Sequence, residues 1–206
     1  ERKLNKIRKR NLSERIRIKE FSSVYLKKSS FSIFDPDYNQ IVFGVPLKRR
    51  SKKNRYHAPL QHLTLQSLDL NKIVNFYHKK LGFAISDRVI NNNGVITTCF
   101  FRSNKEHHSL ACFKAKNVGI DHHSYEVGKW KLIRDWCDYI SKRRLKLFWG
   151  PGRHGPGNNL FVFFEDCDGN KIELSAELEL IKNRKFLDWP HDERTLNLWG
   201  KSYLRV

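Results

Sequence analysis

Two histidines and one glutamate, widely separated along the chain, are the side chains best suited to metal chemistry. His62 and His122 each stand at the start of a short stretch with alternating polar and apolar residues, and Glu173 lies between Ile172 and Leu174. Two imidazoles and one carboxylate, brought together, form the ligand set that leaves coordination positions open on a non-haem ferrous ion. We therefore predict a metal site made by these three side chains.

Each of these residues alone is more often an ordinary polar residue than a metal ligand. The ligand interpretation is favoured because HLTLQS at 62–67 aligns with HHSYEV at 122–127, which places His62 and His122 at equivalent positions of two similar strands. Glu173 adds to it, since an unpaired carboxylate between apolar neighbours would be costly to bury and a cation would remove that cost.

The surrounding pattern predicts two copies of a βαβββ module. In the first copy a strand at 62–67 precedes a helix that carries Ile73 and Phe76, and strands follow at 83–90, 95–102 and 107–113. Asn93-Gly94 is typical of a tight hairpin turn. The second copy has a strand at 121–127, a helix with apolar residues at helical spacing, and strands at 145–149, 160–164 and 171–175.

A further echo lies near the N-terminus, where DPDYNQIVF at 35–43 matches DCDGNKIEL at 166–174 and Val42 takes the position of Glu173. We predict that residues 1–47 are a basic segment with the remnant of a truncated, metal-free first domain, and that 48–57 are a basic linker. Residues 58–178 would form the catalytic domain, with modules at 58–118 and 119–178, followed by a C-terminal segment at 179–206. Because the chain has no methionine and opens on Glu1, we expect a processed or truncated start.

Composition indicates a folded globular protein, with 39% hydrophobic and 13% aromatic residues among 206. Most of the net charge of +19 precedes residue 56, in two basic clusters without interleaved aromatic residues. Solvated or linker charge is therefore favoured over a nucleic-acid site. The four scattered cysteines favour a reducing compartment, and no apolar stretch is long enough to span a bilayer, so we expect a cytoplasmic protein.

Two other histidines stand in notable surroundings. His107 and His108 lie together in EHHSLACF, where a polar surface and a catalytic role are equally supported. His154 lies in WGPGRHGPGNN at 149–159, which predicts a constrained loop of the kind that often holds functional groups. A connecting loop with a surface histidine is the alternative there.

With these motifs the chain resembles the type I extradiol ring-cleaving dioxygenases of the vicinal oxygen chelate superfamily, the family of catechol 2,3-dioxygenases and 2,3-dihydroxybiphenyl dioxygenases. His154, Phe163, Asp166, Gly169 and Glu173 stand at the spacings of that family's signature. The resemblance covers about residues 31 to 200. It implies an α+β fold in which paired βαβββ modules form a funnel-shaped metal pocket.

The resemblance also implies extradiol cleavage of a catechol by dioxygen and Fe(II), with Mn(II) as the alternative metal. It assigns the metal ligands to His62, His122 and Glu173, the acid/base role to His108, and a hydrogen bond in the pocket to His154. We place three further residues in the substrate pocket: Phe163, Thr64 and Phe100. The expected partners are a catecholic substrate, dioxygen and further copies of the chain, without membrane or nucleic acid.

Two residues depart from the family pattern. Phe163 replaces a pocket tyrosine and cannot donate a hydrogen bond, which predicts reduced or shifted activity, and Cys167 replaces the turn proline. One alternative stays within the superfamily, since the same scaffold serves glyoxalases, thiol transferases and ligand-sequestering proteins. The other is a non-catalytic or altered protein whose basic N-terminal region binds RNA or an assembly partner.

Overall fold

A computed structural model describes residues 1–47 and 58–202 of the chain. The described residues divide into two compact units, one made of 1–47 with 71–83 and the other of 58–70 with 84–202. The predicted linker at 48–57 lies outside the described residues. The predicted domain limits themselves stay a prediction.

The second unit carries a mixed sheet made of β4 (Leu60–Ser67), β5 (Ala84–Ile90), β6 (Ile96–Arg102), β7 (Leu110–Lys114), β8 (Gly119–Gly128), β9 (Leu147–Arg153), β10 (Leu160–Glu165), β11 (Lys171–Ala176) and β12 (Leu187–Pro190). These strands lie side by side in the order β12-β5-β6-β7-β4-β8-β11-β10-β9. The predicted α+β class and the repeated βαβββ order are confirmed.

The two modules meet at the centre of this sheet. Strands β4 and β8, the first strand of each module, pair antiparallel with each other. On its other side each pairs in parallel with the last strand of its own module, β4 with β7 and β8 with β11. The modules are therefore related by a local two-fold axis between β4 and β8.

One face of the second module is covered by helix α3 (Trp130–Lys142). Its buried residues Ile133 and Ile140 pack with Val127, Val162 and Leu174 of the strands. Helical spacing places Ile133 and Ile140 on one side of the helix, and their burial against the sheet removes apolar surface from water. The opposite face of the sheet carries His122, Phe163 and Glu173.

Three predicted boundaries differ from the structure. Strand β7 begins at Leu110, so His107 and His108 lie in the loop before it, where the His107 amide donates to the Glu179 carbonyl. Strand β9 runs on to Arg153 because the glycine- and proline-rich stretch still pairs with β10. The hairpin turn is wider than predicted, because the Asn91 amide donates to the Val95 carbonyl, and the Asn91 side chain also accepts from the amides of Asn93 and Val95.

The first unit contains helix α1 (Arg2–Ser13) and a three-stranded sheet of β1 (Lys19–Glu20), β2 (Phe31–Phe34) and β3 (Gln40–Phe43). It also holds most of the helical stretch made of α2 (Leu70–Val74) and the π-helical Asn75–Lys80. That stretch was predicted as one helix, and it ends before Gly82, whose φ of +81° is favourable only for glycine.

The echo between 35–43 and 166–174 is a structural repeat as well. Asp35 Oδ1 accepts from the amides of Asp37 and Asn39, and Asp166 Oδ1 accepts from the amides two and four residues further on in the same way. Each turn joins two antiparallel strands. Where β11 carries Glu173, β3 carries Val42, as the alignment indicates.

Near the C-terminus, residues 179–202 include β12 and the short helix α4 (Glu193–Leu196), which is capped by the Asp192 side chain. Across the described ranges, no helix is both long and apolar enough to cross a membrane.

Candidate metal centre

The three predicted ligands lie on neighbouring strands at the centre of the large sheet. His62 on β4 is in register with Ser124 on β8, and Ser124 is in register with Glu173 on β11. His122 lies two residues before Ser124 and therefore projects from the same face. All three side chains are buried, and one ligand atom from each lies within 4.8 Å of the others.

One carboxylate oxygen faces both imidazoles. Glu173 Oε2 is 2.9 Å from His62 Nε2 and 3.4 Å from His122 Nε2. The structure shows that the three side chains are buried and close together. Their assignment as metal ligands remains a prediction.

A matched pair of β-bulges holds the two histidines. Gln61 and Asp121 are the bulged residues of β4 and β8, because the pairing register shifts by one at each of them. A bulge turns a residue out of the strict alternation of the strand. Each can therefore reach the imidazole that follows it, Gln61 Oε1 at 3.2 Å from His62 Nδ1 and Asp121 Oδ1 at 2.5 Å from His122 Nδ1.

The bulged residues are in turn held from the opposite strand. The Gln61 amide donates to Glu126, and Gln66 donates to Asp121 Oδ2 at 3.1 Å. Since the Gln61 amide nitrogen faces a carboxylate, its oxygen must face His62. Both imidazoles thus donate from Nδ1, which leaves the lone pairs of both Nε2 atoms directed at Glu173.

Burial and mutual attraction shift the pKa values of all three candidate ligands. Burial raises the pKa of Glu173, but His62, His122 and His154 outweigh it, and the pKa lies well below its ordinary value. Burial lowers the pKa of His62 despite the attraction of Glu173. Burial also opposes the charge on His122, although its hydrogen bonds to Asp121 and Glu173 raise the pKa overall.

These residues fit a divalent cation. Two imidazole lone pairs and an ionised carboxylate oxygen face one another in a buried space, and such acceptors repel unless a proton or a metal ion lies between them. Within the described part of the chain, the buried hydroxyl of Ser124 between His62 and Glu173 has no hydrogen-bond partner.

The second oxygen of Glu173 is held by Asn159, whose amide donates to Oε1 at 3.2 Å and to Ser175 Oγ at 2.9 Å. His154 Nε2 lies 3.6 Å from the same Oε1. Asn159 is fully buried, and its position fixes the rotation of the carboxylate so that Oε2 faces the histidines.

His108 and His154 both line the cavity beside the three candidate ligands. The His108 ring lies 4.3 Å from the His62 ring, and burial holds the pKa of His108 well below its ordinary value. His154 is stacked on Phe161 at 3.9 Å, and its Nδ1 donates to the Leu196 carbonyl at 2.5 Å. His154 is half-buried and is held by Phe161 and the Leu196 carbonyl, so it is not a surface histidine in a connecting loop.

The predicted pocket residues Thr64, Phe100 and Phe163 line the same cavity. Thr64 Oγ1 is 3.0 Å from His122 Nε2, and the Phe163 ring lies edge-on to His122 at 5.0 Å. Sequence reasoning missed four further lining residues: Phe113, Trp149, Pro156 and Leu196. No Lys or Arg occurs among the described residues that line the cavity.

Sequence reasoning also missed Gln61 and Asp121, although a signal was available. Both polar residues immediately precede the aligned histidines of the two modules. Their partners Gln66 and Glu126 likewise occupy aligned positions, four residues after each histidine.

Comparison with known proteins gives a consistent result. Residues 60–174 match the model of the Glyoxalase/Bleomycin resistance protein/Dioxygenase superfamily. The chain is 28% identical over 145 residues to metapyrocatechase 2 of Cupriavidus necator, which is 68% of this chain and 44% of that protein. The chain thus spans less than half the length of the first curated relatives it matches.

Among solved structures, homoprotocatechuate 2,3-dioxygenase from Arthrobacter globiformis matches with a TM-score of 0.82 and 20% identity, over 94% of this chain and 64% of that one. A Mn(II)-bound glyoxalase from Novosphingobium aromaticivorans matches with a TM-score of 0.79 and 22% identity, over 96% and 67%. At these identities the likeness establishes a shared fold.

Proposed function

The chain belongs to the Glyoxalase/Bleomycin resistance protein/Dioxygenase superfamily, and from this premise we propose that it carries the catalytic site of an extradiol dioxygenase that cleaves a catechol-type diol. The observation that carries the proposal is the convergence of His62, His122 and Glu173 beside His108 and His154 in one aromatic-lined cavity. The similarity to metapyrocatechase 2 supports the same reaction.

In this proposal His62, His122 and Glu173 hold Fe(II), and Mn(II) suits the same ligands. When bound, the ion supplies the electron transfer that allows a catecholate to react with dioxygen. The protein presents both histidines through Nε2 because Gln61 and Asp121 occupy the Nδ1 side of each ring.

His108 takes a proton from the diol. Burial disfavours its charged form, so the imidazole is neutral before substrate binds and can act as a base. His154 stabilises negative charge that develops on oxygen during the reaction, and its ring is fixed by Phe161 and by the Leu196 carbonyl.

The reaction breaks the ring C–C bond next to the diol and places both atoms of dioxygen in the product, so no external reductant is needed. Its product is a 2-hydroxymuconic semialdehyde type of compound, which is yellow. The aromatic walls formed by Phe100, Trp149 and Phe163 suit a flat aromatic substrate, since rings pack on one another edge-on or offset.

The proposal extends to the setting of the protein. The four cysteines are free thiols, which supports a reducing, cytoplasmic location. Assembly into homo-oligomers is proposed from the family resemblance alone. Nucleic acid is not proposed as a partner, because the basic residues of α1 are not interleaved with aromatic side chains.

The test is to load the chain with Fe(II) without oxygen, add catechol, admit air and follow visible absorbance. A yellow product that forms in proportion to bound iron supports the proposal, and the Glu173→Gln variant should form none. If the wild-type chain binds one iron and a catechol but forms no coloured product in air, the proposed reaction is wrong.

A further inference from the structure

A buried chain of hydrogen bonds leads from Arg184 through Asp87 and His107 to His108. We propose that Asp87 and His107 are positioning residues, which fix the proton of His108 on Nδ1 and leave Nε2 as the atom that accepts a proton in the cavity. The catalytic consequence rests on the proposed function, whereas the position of the proton does not.

Asp87 is the ionised acceptor in this series of hydrogen bonds. Its Oδ1 accepts from Arg184 Nη1 and the Leu187 amide, both at 2.8 Å, and its Oδ2 lies 3.0 Å from Trp189 Nε1. The side chain is fully buried. Burial raises the pKa of Asp87, but hydrogen bonds from His107, Arg184 and Leu187 outweigh that effect and lower it. A carboxylate in this state offers no proton to its neighbours.

The tautomer of His107 follows from this acceptor. His107 Nε2 lies 2.9 Å from Asp87 Oδ2, so Nε2 must carry the proton. A neutral imidazole has one N–H, which makes Nδ1 of His107 an acceptor. That atom lies 2.8 Å from His108 Nδ1, so the proton between the two rings belongs to His108. Nε2 of His108 is then a lone pair.

The packing around His107 keeps the ring in this orientation. His107 has no exposed surface. A Cβ at Gly157 would lie 3.0 Å from His107 Nδ1, and the φ of Gly157 is +79°, so glycine there allows the backbone to lie against the ring. The Phe100 ring contacts both His107 and His108, at 5.5 and 5.1 Å between centroids.

The C-terminal segment anchors the far end of the chain. Arg184 is held between Asp87 and Glu179, with Nη2 at 2.6 Å from Glu179 Oε2, and the Glu179 carbonyl accepts from the His107 amide at 2.8 Å. Residues of the C-terminal segment thereby help to orient the His108 imidazole through Asp87 and His107. If the His108 proton were on Nε2 and not on Nδ1, that N–H would face the diol. His108 could then no longer accept a proton at Nε2.

The proton position can be measured directly. Long-range ¹H–¹⁵N correlation spectra of ¹⁵N-histidine-labelled, Zn(II)-loaded protein distinguish a protonated ring nitrogen from a lone-pair nitrogen. We expect His108, assigned from the spectrum of His108→Gln, to carry its proton on Nδ1. A proton on Nε2 of His108 in the wild-type protein overturns the proposal, whether or not the protein cleaves catechols.

The Asp87→Asn variant tests the consequence. Its amide would donate to His107 Nε2, move the His107 proton to Nδ1 and so place the His108 proton on Nε2. The same Asp→Asn change in a serine protease triad, which traps the wrong histidine tautomer, lowers kcat about 10⁴-fold. We expect kcat to fall by more than about 100-fold with KM changed less than about 3-fold. A folded variant with wild-type kcat overturns the proposal.

Matched variants separate positioning from folding. Asp188→Asn makes the same change at a partly exposed carboxylate, which binds Arg88 at 2.7 Å, and should leave kcat unchanged. His107→Gln retains an oxygen to accept from His108 and an amide to donate to Asp87, so it should keep most of the activity that His107→Leu loses. Equal loss of activity in His107→Gln and His107→Leu would overturn the positioning role. This comparison tests the proposal even if Asp87→Asn does not fold.

Discussion

Replacement of Asn159 by alanine should weaken metal binding, although the substitution leaves all three proposed ligands in place. The Asn159 amide donates to Glu173 Oε1 and to Ser175, and nothing in alanine can replace it. A hydrogen bond to a charged group contributes about 1.5–3 kcal/mol. If most of it is lost from the metal-binding conformation of Glu173, the Kd for the ion rises by roughly 10- to 100-fold.

The assay is anaerobic titration calorimetry with Fe(II), after circular dichroism has established that the variant is folded. Asn104→Ala is the matched control, because the Asn104 amide also donates to a glutamate, Glu106, at 2.9 Å but at the surface. Its Kd should equal that of the wild type. A folded Asn159→Ala variant with unchanged Kd would refute the conclusion that Asn159 sets the orientation of Glu173.

Other predictions concern the pocket and acid stability. Phe163→Tyr restores the hydroxyl that the family pattern has, and one added hydrogen bond to substrate should raise kcat/KM about 2- to 10-fold, measured by steady-state kinetics with catechol. Catechols with a carboxylate on the ring substituent should show kcat/KM at least about 100-fold below their alkyl analogues, since the described cavity residues include no cation to pair with it. Because the pKa of Asp87 is lowered on folding, its contribution to stability is present above the unfolded value of about 3.9 and is lost as the pH falls through the lower folded value. The difference in unfolding free energy between wild type and Asp87→Asn, from urea titrations, should therefore shrink as the pH falls from about 6 towards 3.

The internal repeat of two βαβββ modules is the basis of most of the predictions that the structure confirms. Once HLTLQS is aligned with HHSYEV, the two-module fold and the equivalent positions of His62 and His122 follow, and the structure has both. The echo at Asp35 and Asp166 is likewise visible in the sequence, because turn residues at fixed offsets impose the same hydrogen bonds.

The aligned polar residues before the two histidines are visible in the sequence, but the contacts that depend on strand register are not. The bulges at Gln61 and Asp121 exist only when β4 pairs with β8, and strict alternation would place both side chains on the face away from the histidines. The link between Asp87 and His107 joins residues from β5 and from the loop before β7, and Arg184 reaches it from the C-terminal segment. No local pattern marks such contacts.

The boundaries that differ have similar causes. Glycine and proline at 150–152 indicated a loop, but pairing with β10 extends β9 through them. The loop around His107 and His108 ends at Leu110 because the Ser109 amide pairs with the Phe101 carbonyl and the His107 amide with Glu179. Long-range partners decide these ends, and local propensity does not.

Anaerobic Fe(II) titration of the wild type and of His62→Ala, His122→Ala and Glu173→Gln tests the central claim most directly. His78→Ala, at an exposed histidine, is the control. We predict one Fe(II) per wild-type and control chain, and a Kd at least about 100-fold weaker in each of the three ligand variants. Wild-type binding by any of the three folded ligand variants would contradict a single ion held jointly by these side chains.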